Sequence, residues 1–291
     1  MTSFPAPTLG YLRLPFLYAT KMSIPRPLYA SIALLCSLGL GLPGAAHAGD
    51  DDTISPDRPD FVESSKVVGK GRVQLETSVA WERQRDDDLH SRTLTTPSLL
   101  RVGLNDTLEL RIETDGRTVE HDLDPATGAH AITAGWADTE LGVKWHLAEQ
   151  QGNSPSLGLL LHAALPSGSH DLRGHGVRPS LRLSAEWELA GDYSLGVMPG
   201  IASDSDDNGA RYGYGIFAAS LGKDFGDHVH GFAELAAPQI ARAAHGGTQL
   251  FFDTGMSYTL NKDCQVDFAV THGLNHRTPD LGLAFGLSLR M

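Results

Sequence analysis

The chain has 291 residues, with 23 basic against 35 acidic side chains, a net charge of −12 and two cysteines. That balance argues against a nucleic-acid partner. Beyond residue 48 no apolar run approaches the ~18 residues of a membrane-crossing helix, and Cys264 stands alone there, so no intramolecular disulfide is expected.

Residues 1–48 read as an export leader. Lys21 and Arg26 precede an apolar stretch from Leu28 to Leu42, and Ala46-His47-Ala48 has the small-x-small form of a cleavage site. Met22 is an alternative start, since residues 1–21 add nothing a leader needs. Cleavage would remove Arg13, Lys21 and Arg26 and leave 20 basic against 35 acidic residues. Residues 49–70 follow as a charged, proline-containing lead-in.

From residue 71 to 291 the pattern is strand, connection, strand, with a period of two. Val73, Leu75, Thr77, Val79 and Trp81 share one face, opposite Gln74, Glu76, Ala80 and Glu82. Leu94 to Leu104 repeats the pattern. Leu108, Leu110 and Ile112 alternate with Glu109, Arg111 and Glu113. Leu141, Val143, Trp145 and Leu147 alternate with Glu140, Gly142, Lys144 and His146. The stretch "SLGLLLHAAL" is apolar on both sides and has no clear phase. Leu181, Leu183, Ala185 and Trp187 oppose Arg182, Ser184 and Glu186, and Tyr193, Leu195, Val197 and Ile201 follow. "YGYGIFAASLGKDFG" and "HVHGFAELAA" are rich in Gly and Ala and hard to phase. Phe252, Met256, Tyr258 and Leu260 oppose Asp253, Ser257 and Thr259. Val266, Phe268 and Val270 precede a last strand through Leu283, Phe285, Leu287 and Leu289.

This gives about twelve strands. Short connections are expected near 105–106, 148–155, 190–192, 226–228 and 261–263, and long polar ones near 84–92, 115–133, 166–176, 203–210, 238–247 and 272–280. Such alternation, and strands of about 9–11 residues, suit an all-β, up-and-down antiparallel β-barrel that crosses a membrane, with long loops outward and short turns toward the periplasm. An open sheet edge is excluded in hydrocarbon, so the barrel must close. Trp81, Trp136, Trp145, Trp187, Tyr193, Tyr212 and Tyr258 near strand ends fit interfacial girdles. The polar faces would then line a lumen, with Glu76, Glu109, Arg111, Glu113, Glu140, Lys144, Arg182, Glu186 and Asp253 as the lining candidates.

"DRPDFVES" at 57–64, followed by "GRVQLE" at 71–76, resembles the start of the mature proteins in the outer-membrane transporter family linked to the meta-pathway of phenol degradation. "LPSG" at 165–168, "DTGMSYTL" at 253–260, His272-Gly273-Leu274-Asn275 and Thr278-Pro279-Asp280 extend the resemblance over most of residues 55–291. Val62 stands where Thr is common, and Met291 where an aromatic residue usually ends the last strand. The resemblance implies an outer-membrane channel or transporter and no catalytic residues. In that setting Asp57, Arg58, Pro59, Asp60, Phe61 and Glu63 form a lead-in motif. It would lie on the periplasmic side or tuck into the barrel mouth, fixed by ion pairs among Asp57, Arg58, Asp60 and Glu63.

The chain lacks a G-x-S-x-G segment, and no Ser–His–acid grouping is legible, so the reading is not an enzyme. "DSDDNG" contains Asp204, Asp206 and Asp207 in a fragment resembling a calcium loop but lacks the distal Glu, leaving only weak metal candidates and no cofactor. The expected function is a passive outer-membrane channel for small solutes, aromatic or hydrophobic by family resemblance alone. Its partners would be outer-membrane lipids, the outer-membrane assembly machinery and a small-molecule solute. The alternatives are a closed structural barrel whose outer loops bind partners and, further off, a soluble periplasmic β-protein or a lipid-modifying enzyme.

Overall fold

The computed structural model describes residues 53–86, 89–206 and 209–291. The leader at 1–48 and Asp207 lie outside the described residues. Fifteen strands run in order: β1 Val73–Arg85, β2 His90–Thr95, β3 Ser98–Gly103, β4 Leu108–Thr114, β5 Arg117–Leu123, β6 His130–Trp136, β7 Thr139–Ala148, β8 Ser156–Leu165, β9 Arg178–Leu189, β10 Tyr193–Ser205, β11 Arg211–Phe225, β12 Val229–Ile240, β13 Phe251–Asn261, β14 Cys264–Gly273 and β15 Leu281–Arg290.

They make twelve staves, because three staves are each broken once. β2 and β3 both pair with β1 and are separated by Thr96-Pro97. Proline has no N–H to give a ladder, and here its carbonyl instead accepts from Ser78 N. β4–β5 and β6–β7 break beside it at Asp115-Gly116 and Ala137-Asp138. Thr96 N bonds Asp115 O and Ala137 N bonds Gly116 O, so the three breaks form one line across the sheet. All pairings are antiparallel between chain neighbours, and β1 closes on β15 from Gln74↔Arg290 to Arg83↔Leu281. Every backbone edge at membrane depth is thereby paired, which hydrocarbon demands.

Alternation sorts the side chains. Leu110, Ile112, Leu141, Leu161, Leu221, Leu235, Met256 and Phe285 face outward and are exposed, forming a lipid-facing band. Trp145, Tyr193, Phe225 and Tyr258 edge this band at the short-turn end, and Trp81 and Trp136 edge it at the long-loop end. The sequence assigns 84–92 and 115–133 to loops, whereas β2, β5 and β6 continue the ladder through most of them as a flap beyond the barrel rim. Charged side chains on both faces hid these strands from a hydropathy reading, but backbone pairing above the membrane does not need an apolar face.

Candidate functional site

The lumen is occupied by the chain's own lead-in. Residues 54–72 form a re-entrant loop that starts at the short-turn end, where Ile54 N donates to Lys262 O. Its apex is Pro59–Phe61. It returns to the same end, where Gly71 N bonds Gly103 O. Between these anchors its backbone is held by wall side chains rather than by a ladder. Glu76 accepts from Asp57 N at 2.9 Å, and Glu234 accepts from Phe61 N and Val62 N, each at 2.8 Å. Glu186 accepts from Ser65 N, and Glu109 from Val68 N at 2.9 Å. On the acceptor side, Arg101 donates to the carbonyls of Ser55 and Lys66, and Ser184 Oγ donates to that of Glu63.

Glycines in the wall make room. A Cβ at Gly158 would stand 2.8 Å from Ser65 Cα, and one at Gly103 would collide with the Gly69 carbonyl. Val62 is buried against Met198, Ala218 and Ala236, and Phe61 meets Phe251 edge-on with ring centroids 6.1 Å apart.

At the centre lies a buried ion cluster. Asp57 accepts from Lys144 Nζ at 2.7 Å on both oxygens and from Arg111 at 2.5 Å, and lies 3.3 Å from Arg101. Glu63 takes Arg111 at 2.6 Å and Arg182 at 2.7 Å. Arg101 also holds Glu76 at 3.0 Å and Glu109 at 2.8 Å. Four cations thus meet four carboxylates. Burial tends to raise the Asp57 carboxyl, but the surrounding Arg101, Lys144 and Arg111 more than offset it and hold the group far below the usual carboxylate range. Glu63, likewise buried, is pulled down to about 2 by Arg111 and Arg182.

The β12–β14 wall differs. Arg58 pairs there with Asp267 at 3.2 Å. Asp60 instead faces carboxylates, and burial followed by the neighbouring Glu234 pushes it well above the ordinary range.

The structure places all nine lining candidates on the inner face. Glu76, Glu109, Arg111, Lys144 and Glu186 bond the insert. Arg182 bonds it too while lining, with Glu113 and Glu140, a vestibule of about 500 Å³ above the apex on the long-loop side. A second hollow of about 420 Å³ touches the other flank of the apex beside Asp253 and Phe251. The ion pairs of Asp57, Arg58 and Glu63 run to the wall rather than among themselves, because the short loop points these side chains outward from its axis. Sequence reasoning missed Arg101, Glu234 and His162. Alternation puts Arg101 opposite Leu100 and Val102 on the polar face, where it went unread, whereas Glu234 and His162 sit in stretches with no legible phase.

One further cluster has metal-ligand chemistry. Glu113, Glu140 and His162 bring one ligand atom each within 4.8 Å of one another. His162 Nδ1 stands 3.0 Å from Glu140, its Nε2 4.0 Å from Glu113, and Arg111 and Arg182 border the carboxylates. The two arginines already sit against these carboxylates, which disfavours a divalent cation between them. Asp204 lies 3.8 Å from Arg178, and Asp206 accepts from Ala210 N within its own loop.

The family model described as "Putative MetA-pathway of phenol degradation" matches residues 56–291. The chain belongs to this family. Among solved structures, an outer membrane channel from Pseudomonas putida F1 aligns with a TM-score of 0.58 at 12% identity, over 80% of this chain and 99% of that one. The β domain of the Bordetella autotransporter BrkA aligns at 0.51 and 12% identity, over 76% and 99%. Among curated protein sequences none matches. What these structures share with this chain is the closed β-barrel fold.

Proposed function

We propose that this family member is a passive outer-membrane channel for small solutes whose own lead-in closes the lumen and leaves it reversibly. The carrying observation is how the insert is held. Between Ser55 and Val68 its backbone bonds run to side chains, which can release it one contact at a time without breaking a strand ladder. The vestibule above offers more acids than bases, with Glu113, Asp115, Asp138 and Glu140 against Arg178 and Arg182 near its rim. Charged rings of this kind set selectivity, and the acid excess favours cations and neutral solutes over anions. The family's description supports aromatic compounds as cargo. We read the barrel as a conduit and not an enzyme, and as one that the outer-membrane assembly machinery inserts through β15.

The fully buried Arg101 and Arg111 support a second reading, a permanently filled structural barrel. Planar-bilayer recording on refolded Gly49–Met291 separates the two. Discrete steps that become more frequent in Glu63→Gln support the gated channel. Silence from both proteins, each shown folded by its unheated gel mobility, supports the filled barrel.

A further inference from the structure

The outer face of the flap carries a feature that solute passage does not use. On β1, β2, β5 and β6 the outward positions form cross-strand rows. Trp81 pairs with Leu94, and Leu94 with Val119, in the row at the membrane edge. Above it Arg83 stands opposite Arg92, and Arg92 opposite His121. Above that lie Arg85, His90, Leu123 and His130. Arg117 and Trp136 flank the array lower down. Rows are about 7 Å apart, two residues at ~3.4 Å each. No outward position of these rows is acidic, since Glu82, Glu120 and Asp122 take the opposite face.

Like charges directly across a ladder are destabilising, yet Arg83 and Arg92 are cross-strand partners. Neither they nor Arg85 and Arg117 make a side-chain hydrogen bond or ion pair with any described residue, and Arg83 Nε is buried without a partner. A hollow of about 630 Å³ lies against the array, with Trp81 and Leu94 at its apolar end and Arg83, Arg85 and Arg92 beyond, and Asp122 the one acid in its lining. At other staves the outward positions near this rim include exposed apolar residues, as at Ile201, Ile240 and Phe252.

We infer that this face binds the phosphorylated headgroup of an outer-leaflet glycolipid, with acyl chains on the Trp81–Leu94 row and phosphate between Arg83 and Arg92. Arginine forks match phosphate oxygens in pairs, and an anion there removes the repulsion across the ladder. The inference rests on the outer-membrane setting but not on conduction.

The test is native mass spectrometry of refolded Gly49–Met291 in detergent, titrated with bisphosphorylated lipid A, dephosphorylated lipid A and inorganic phosphate. The expected result is a bound lipid A whose affinity falls at least roughly tenfold without its phosphates, and as much again in Arg83→Gln/Arg92→Gln, by the usual strength of charge-assisted bonds. Arg173→Gln/Arg242→Gln, a charge-matched change in other loops, should leave binding unchanged, and unheated gel mobility checks that each variant is folded. Equal binding of the two lipids, unchanged affinity in Arg83→Gln/Arg92→Gln, or displacement of the lipid by equimolar inorganic phosphate would each overturn it.

Discussion

The wall built from β1, β3, β4, β7 and β9 and the wall built from β12 to β14 hold the same loop by opposite electrostatics. The first surrounds Asp57 and Glu63 with Arg101, Arg111, Lys144 and Arg182, so charge is neutralised in place. The second holds Phe61 and Val62 through Glu234, with Asp60 nearby and no cation on that carboxylate among the described contacts. Neutralised burial is rigid, because removing one partner strands the others. Gathered acids are conditional, because their repulsion grows as they ionise. The insert is therefore clamped along its base and conditional at its apex, which is where both vestibules meet it.

Breaking the clamp should have the largest effect. Asp57→Asn keeps the shape and leaves Lys144 and Arg111 short of their shared anion. By the usual penalty for a broken buried pair, about 3–5 kcal/mol of stability should be lost, measured by urea unfolding of the refolded barrel in micelles.

Overpacking comes next. Gly158→Ala pushes a methyl against the Ser65 backbone and should cost about 1–3 kcal/mol by the usual penalty for excess volume. The same unfolding assay reads it, and Ala163→Gly on the same strand but the opposite face should not reproduce a displaced insert.

The pH response separates the walls by sign. Asp60 titrates above its unfolded value, so its favourable contribution is complete below the ordinary carboxylate range and is lost as pH rises through its raised pKa. Glu63 is depressed to about 2, so its contribution is present above the ordinary range and is lost as pH falls through about 2. As pH rises above the ordinary carboxylate range, hydrogen-exchange protection of the Phe61 and Val62 amides, corrected for intrinsic rates, should therefore decline. That of Ser65 and Val68 should hold, and Asp60→Asn should flatten the decline.

The smallest effect belongs to the vestibule. Glu113→Gln/Glu140→Gln should lower cation over anion preference by a few-fold, read as a reversal-potential change in a salt gradient.

Much of this barrel could be read from sequence because lipid on one face and polar groups on the other leave a period of two. Leu110, Ile112 and Leu141 against Glu109, Arg111 and Glu140 show it plainly. The reading loses the trace wherever the inner face is itself apolar. Leu160 packs inside the lumen beside His162, and Ala236 packs beside Glu234, so both faces of those strands look alike. It also loses the trace above the membrane, where Arg83, Arg92 and His121 ride a ladder outside the lipid. The candidate site was legible as side chains but not as a site. Glu76, Glu109 and Glu186 read as lining charges, whereas their partners are peptide N–H groups of a segment far off in sequence, which no local pattern encodes.

The central claim, that the insert leaves the lumen for solute to pass, is tested most directly by a reversible lock. A Cβ at Gly196 would lie 3.7 Å from Val62 Cβ, within the span a disulfide bridges. Val62→Cys/Gly196→Cys, made in a Cys264→Ser background, would tie the loop to β10. Single-channel recording should then show silence when oxidised and discrete steps once a reductant is added. Steps of equal size and frequency in the oxidised and reduced states would contradict the account.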